Sequence, residues 1–187
     1  VDFATFSGHK FHAVRGVGFV YKKAGKKITP LLTGGGQEKD FRSTTENVAG
    51  IASMAKALRL VTDKEEFSLP KIAKMKKIIF DELAKYEDIT IFSGEGEDFA
   101  PNILTFGIKG VRGEVIVHAF EEHQIYISTT SACSSKAGKP AGTLISMGVP
   151  TKLAQTAVRI SLDDDNDMGQ VEQFLTIFKQ VYAKTQK

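Results

Sequence analysis

The chain has 187 residues, 42% of them hydrophobic, which is enough to bury a sizeable core in one large or two small domains. Its 25 Lys and Arg against 22 Asp and Glu leave a net charge of +3, too weak and too dispersed for a nucleic-acid partner. A single cysteine excludes an internal disulfide framework and fits a reducing compartment, so a cytoplasmic location is expected; no apolar run approaches the ~20 residues of a membrane span.

The chain opens without a methionine on Val1-Asp2-Phe3-Ala4-Thr5-Phe6, an alternating strand with no preceding turn or cap, which reads as a truncated start. Val17-Gly18-Phe19-Val20-Tyr21 and the stretch 28–32 have strand composition around a turn at Ala24-Gly25 and are expected to be antiparallel edge strands. The spacing of Ala, Ile, Met and Leu predicts a helix over 45–61, followed by a solvated linker at Lys64-Glu65-Glu66. A second helix is expected from Pro70, with Ile72, Met75, Ile79, Leu83 and Tyr86 on one buried face. Strands are predicted at 89–92, 102–106, 125–127 and 158–162, and helices at 113–123 and over the stripe Val171, Phe174, Leu175, Phe178, Val181 and Tyr182. Residues 1–66 and 67–187 are expected to be separate domains, with the boundary in the charged linker.

Several residues carry reactive chemistry. Ser7-Gly8-His9-Lys10 puts a hydroxyl, an imidazole and an amine at one strand-to-loop junction, where a phosphate and a carbonyl can be held together, although most lysines are solvated loop residues. An amine forms a Schiff base only when partly neutral, a state favoured by burial or by nearby positive charge, here His9 or Arg15. Cys133 lies in Ser131-Ala132-Cys133-Ser134-Ser135, ahead of Lys136, Gly138, Lys139, Pro140 and Gly142. A free cysteine is most often a small buried hydrophobe, but this polar, basic setting suits a reactive thiolate.

Arg159 stands among apolar strand residues, where its planar fork suits a carboxylate; a structural ion pair at a strand end is the equal alternative. Gly34-Gly35-Gly36 lacks the following Lys-Ser/Thr of a nucleotide phosphate loop and reads as a turn. The acidic run 163–167 has Met168 where a calcium loop needs Gly and Phe174 where it needs Glu, so it is expected to cap the last helix. His9 with His12, and His118 with His123, have no partner at zinc-site spacing, and no metal is assigned.

Taken together, these segments resemble the cysteine desulfurases of the class V aminotransferase superfamily, in the NifS/IscS-like group. The S-x-H-K motif is matched by Ser7 to Lys10, G-G-G-Q-E by Gly34 to Glu38, R-S-G-T by Arg42-Ser43-Thr44-Thr45, S-A-C-x-S by Ser131 to Ser135, and R-[IFV]-S by Arg159-Ile160-Ser161. The sequence departs from the pattern at Thr44, at Thr130 and at Ala13-Val14-Arg15. The resemblance implies an α+β C-terminal small domain of a fold-type I pyridoxal-phosphate enzyme, preceded by a remnant of the large α/β cofactor domain. It implies that Lys10 holds pyridoxal 5'-phosphate covalently, that Ser7 and His9 bind its phosphate, and that Thr45 reaches the phosphate site of a homodimer partner. Arg159 would hold the carboxylate of L-cysteine and Cys133 would accept its sulfur, for delivery to an acceptor or scaffold protein in iron-sulfur cluster assembly or other sulfur transfer. The family's ring-stacking His, pyridine-nitrogen Asp and ring-oxygen Gln lie upstream of the lysine and are not in this chain, which is therefore expected to be inactive alone. Another class V enzyme, such as a selenocysteine lyase or an aminotransferase, and a non-catalytic sulfur-relay or dimerisation module are the alternatives.

Overall fold

The computed structural model describes residues 1–96, 98–129 and 142–185, so Thr130 and the whole cysteine loop around Cys133 lie outside the described residues. The backbone divides into two compact units, Val1–Glu66 and Phe67–Lys187. The fold is α+β, with two small antiparallel sheets and helices.

In the first unit the alternating start of the chain forms β1 (Phe3–Ser7), which pairs antiparallel with β2 (Gly18–Lys22), Phe6 opposite Phe19. Those two rings stack with centroids 4.6 Å apart, a cross-strand pair of the kind that stabilises hairpins. Ala24 and Gly25 form the expected turn, Gly25 with φ of 79°. Residues 28–32 do not pair as a strand; β2 takes β1 as its partner instead, and the segment enters a loop closed by Ser43 N–H donating to Leu32 O at 3.1 Å.

A 36-residue helix, α1 (Val48–Leu83), replaces the two helices and linker read from the sequence. Lys64, Glu65 and Glu66 are strong helix formers on an exposed face, so their charge signals solvent rather than a break. Pro70 sits inside this helix, where it removes one backbone hydrogen bond at a cost of about 3 kcal/mol. Asn47 caps the start, its Oδ1 accepting the N–H of Gly50 at 3.0 Å.

The second unit is built on a four-stranded antiparallel sheet in the order β3 (Ile89–Ile91), β4 (Ile103–Ile108), β6 (Ala157–Ser161), β5 (Ser128–Thr129). Its remaining helices are α2 (Gly113–Glu121), α3 (Gly142–Ser146), α4 (Thr151–Ala154) and α5 (Met168–Thr185). The strand expected over 125–127 lies at Ser128–Thr129, because only those residues come opposite Arg159 and Val158 of β6. The short helices α3 and α4 carry no sequence period long enough to read.

One core gathers Ile72, Met75, Ile79 and Leu83 of α1, Leu104, Phe106 and Ile108 of β4, Ile116 and Phe120 of α2, Val158 and Ile160 of β6, and the apolar stripe of α5. Burial of these side chains supplies most of this unit's stability, at roughly 1.5–3 kcal/mol each. Close approach needs glycine at position 113, where a Cβ would stand 2.7 Å from Ala157 O. The acidic run does cap α5: Asp167 Oδ1 accepts the N–H of Gln170 at 2.9 Å, and Gln170 Oε1 accepts the N–H of Asp167 at 3.3 Å.

Candidate functional site

In the first unit the strand-to-loop junction tightens into a 3-10 turn, Gly8–Phe11, with Ser7 at its N-cap position and His12 closing it at φ 70°. Gly8 is buried, its N–H donates to Val17 O at 2.9 Å, and an added Cβ would meet Val17 O at 3.0 Å and Ala13 Cβ at 3.1 Å. A side chain here would crowd Val17, just ahead of β2, and the turn presents Ser7, His9 and Lys10 together. The Ser7 hydroxyl makes no capping bond to that turn, and His9 and Lys10 are exposed. The turn is tied to α1 by Val14 N–H donating to Ser53 Oγ at 3.3 Å.

Thr45 belongs to the same unit, two residues ahead of the Asn47 cap of α1, and is exposed. Just before it, Glu38, Lys39 and Asp40 take φ values of 52°, 56° and 65°. Three successive non-glycine residues in the left-handed region cost roughly 1–2 kcal/mol each, a feature that no residue pattern announced. The Gln37 Oε1 atom at the base of this turn is buried without a hydrogen-bond partner among the described residues.

In the second unit Arg159 stands on β6, opposite Thr105 of β4 and Ser128 of β5, between the buried Val158 and Ile160. Its Nε is buried and has no hydrogen-bond partner among the described residues. The ion pair offered as the alternative reading is likewise absent among the described residues. Cys133 lies outside the described residues, between the end of β5 and the start of α3.

Two charged features of this unit escaped the sequence reading. Glu82 accepts from Lys85 at 2.6 Å and from Tyr86 Oη at 3.3 Å, and pairs with Lys179 at 3.3 Å. The hydrogen bond from Lys85 holds the Glu82 carboxyl below its ordinary value, with Lys179 reinforcing it against burial. Burial, followed by the Glu82 charge, pushes the Tyr86 phenol up. The second feature is Lys76, only 6% exposed, whose ammonium donates to Gly94 O at 3.1 Å and Ala100 O at 2.9 Å. Burial lowers its pKa against the opposing attraction of Glu95. Its position four residues after Ile72, on the apolar stripe of α1, was the available signal.

No helix among the described residues is long and apolar enough to cross a membrane. The family model for class-V aminotransferases matches residues 1–174. The chain is 46% identical over its whole length to a NifS/IcsS protein homolog of Lactobacillus delbrueckii subsp. bulgaricus, covering 49% of that protein. It is 35% identical over 162 residues to the cysteine desulfurase IscS of Dictyoglomus turgidum, covering 87% of this chain and 41% of the relative. The solved structure of a NifS-like protein from Rickettsia africae superposes with a TM-score of 0.83 at 32% identity, over 98% of this chain and 48% of that one. The chain thus spans about half the length of the curated relatives it matches. A lysine turn and a motif order that resemble one family, a backbone that superposes on its solved members and a family model that covers residues 1–174 agree, and the chain belongs to the class-V aminotransferases.

Proposed function

We propose that this chain carries the lysine, cysteine and arginine of a pyridoxal-phosphate-dependent cysteine desulfurase that converts L-cysteine to L-alanine and leaves a persulfide on Cys133. The observation that carries it is Arg159: a guanidinium nitrogen buried without a partner among the described residues, on a strand of apolar neighbours, is poised for a carboxylate. The lysine turn supports the cofactor. A primary amine suited to an aldehyde, and a hydroxyl and an imidazole suited to a phosphate, share one turn around a glycine where a Cβ would crowd Val17 and Ala13. Lys10 would hold the cofactor covalently, Ser7 and His9 its phosphate, and Thr45 the phosphate bound by a homodimer partner.

Pyridoxal 5'-phosphate supplies, when bound, the electron-withdrawing ring that such chemistry requires. Arg159 orients the amino acid by its carboxylate, and Lys10 moves the proton at the substrate's Cα. Cys133 thiolate attacks the substrate sulfur; the Cβ–S bond breaks, its electron pair stays on carbon and is protonated, and alanine leaves while the sulfur remains as the persulfide. That sulfur then passes to an acceptor or scaffold protein for iron-sulfur cluster assembly or other sulfur transfer. The cytoplasm is the setting proposed for the whole enzyme.

The test grafts this chain in place of the matching half of the Lactobacillus delbrueckii relative and follows sulfide and alanine release from L-cysteine. The graft should turn over. Lys10→Ala should cut the rate at least ~100-fold, and Cys133→Ser should reduce sulfide release to background. Sulfide release undiminished in Cys133→Ser would discard the desulfurase reading in favour of another class V activity.

A further inference from the structure

Arg159 and Thr105 stand opposite each other on β6 and β4. Leu162 N–H donates to Asn102 O at 2.8 Å, so 102 and 162 form a hydrogen-bonded pair of this antiparallel ladder. By alternation 105 and 159 form a non-hydrogen-bonded pair, the kind in which opposite side chains approach most closely. Both leave the sheet on the face away from Val158 and Ile160, whose side chains belong to the core.

Thr105 is the fixed member of the pair. It is buried, and its backbone is held from the β3 side: its N–H donates to Ser93 Oγ at 2.7 Å, and its carbonyl accepts Phe92 N–H at 2.8 Å and Ser93 N–H at 3.4 Å. The strand β3 ends at Ile91, so the Ser93 hydroxyl takes the place of a strand carbonyl at this point. The β-branched side chain of Thr105 has few χ1 choices. Arg159 is the member that needs fixing. A guanidinium carries five donors, and a carboxylate gripped by two parallel bonds occupies two of them. With Nε buried and unpartnered among the described residues, no described acceptor yet sets the direction in which the fork faces, and a buried donor left unpaired is costly.

We propose that Thr105 is the positioning residue for Arg159: when a substrate carboxylate takes two donors of the guanidinium, the Thr105 hydroxyl accepts one of those left over and locks the fork in that orientation. Thr105 touches neither substrate nor cofactor and acts only through the arginine. The inference rests on the role proposed for Arg159 as holder of the carboxylate, and it does not depend on the sulfur chemistry of Cys133.

The test loads the graft on the Lactobacillus delbrueckii relative with pyridoxal 5'-phosphate and measures by calorimetry, without turnover, the binding of L-alanine and of L-alaninamide, whose neutral amide replaces the carboxylate. Thr105→Val keeps the side-chain shape and removes the hydroxyl; it should weaken L-alanine about tenfold and change L-alaninamide less than about twofold. Thr105→Ser keeps the hydroxyl and should stay within about twofold of the parent for both ligands. In an Arg159→Ala background, Thr105→Val should have no further effect, as expected of a residue that acts through the arginine. If Thr105→Val does not fold, Thr105→Ala removes the same hydroxyl and takes its place. L-Alanine binding unchanged in Thr105→Val, an equal loss in Thr105→Ser, or an equal loss for L-alaninamide would each overturn the inference. An Arg159→Ala variant that binds L-alanine like the parent would overturn the role of Arg159 and this inference with it, whereas the desulfurase reading is decided separately by sulfide release in Cys133→Ser.

Discussion

Glu82 shows how a single carboxylate on α1 becomes a stabilising group. Its side chain is 13% exposed and receives Lys85, Lys179 and the Tyr86 hydroxyl, which join the helix end to α5. Because its folded pKa lies below the ordinary 4.5, its contribution is present above that pH and is lost as pH falls through the lower folded value. Glu82→Gln should therefore cost about 1 kcal/mol at neutral pH, a modest figure because both lysines are well exposed. Urea melts should show the gap between variant and parent closing on acidification below pH 4.5; a constant gap would show that the charge is not what stabilises. At this scale the sequence was informative where chemistry is local. That Ser7, His9 and Lys10 share one turn follows from four adjacent residues, whereas the surroundings of Glu82, Lys76 and the buried Arg159 nitrogen depend on what the fold brings beside them.

Among the elements, legibility follows period and partner. The stripes of α1 and α5 and the alternation of β6 read correctly, because each buries one face at a fixed spacing. The stretch 28–32 has the same composition as a strand yet finds no partner, since pairing belongs to two segments and composition to one. The apparent linker at 64–66 failed for a related reason: charged residues with high helix propensity look alike in a loop and on the wet face of a helix. The end of α5 is a simpler case, because the reciprocal bonds of Asp167 and Gln170 are a local device. Asp167→Ala should lower stability by about 1 kcal/mol, visible as a shift in the thermal midpoint, while Asp165→Ala, at an exposed position ahead of the cap, should change it little.

Across the whole molecule, burial is distributed unequally. The second unit contains the large apolar core, whereas in Val1–Glu66 Ala57 is the one buried hydrophobic residue among those described. There Phe3, Phe6, Val14, Val20, Leu31 and Val48 are between 43% and 95% exposed. Apolar surface of that extent marks a face made to be covered, and an uncovered one favours self-association. Amide exchange of the isolated chain should be markedly faster across β1 and β2 than across β4 and β6, and a hydrophobic dye should bind and be displaced as concentration rises. Equal protection in both units would contradict this view of residues 1–66. The α+β class follows from hydrophobic pattern, but the poverty of the first unit's core does not: the same apolar residues would look identical in sequence whether covered or bare.

The reversed curl of Glu38, Lys39 and Asp40 bears on heredity as much as on mechanics. Side chains that branch at Cβ are shut out of such a backbone, while Gly, Asn and Asp enter it at least cost. Drift at these sites is thereby channelled into a very small alphabet, and a lineage that relaxed the curl would show it first as valine, isoleucine or threonine appearing at these three codons.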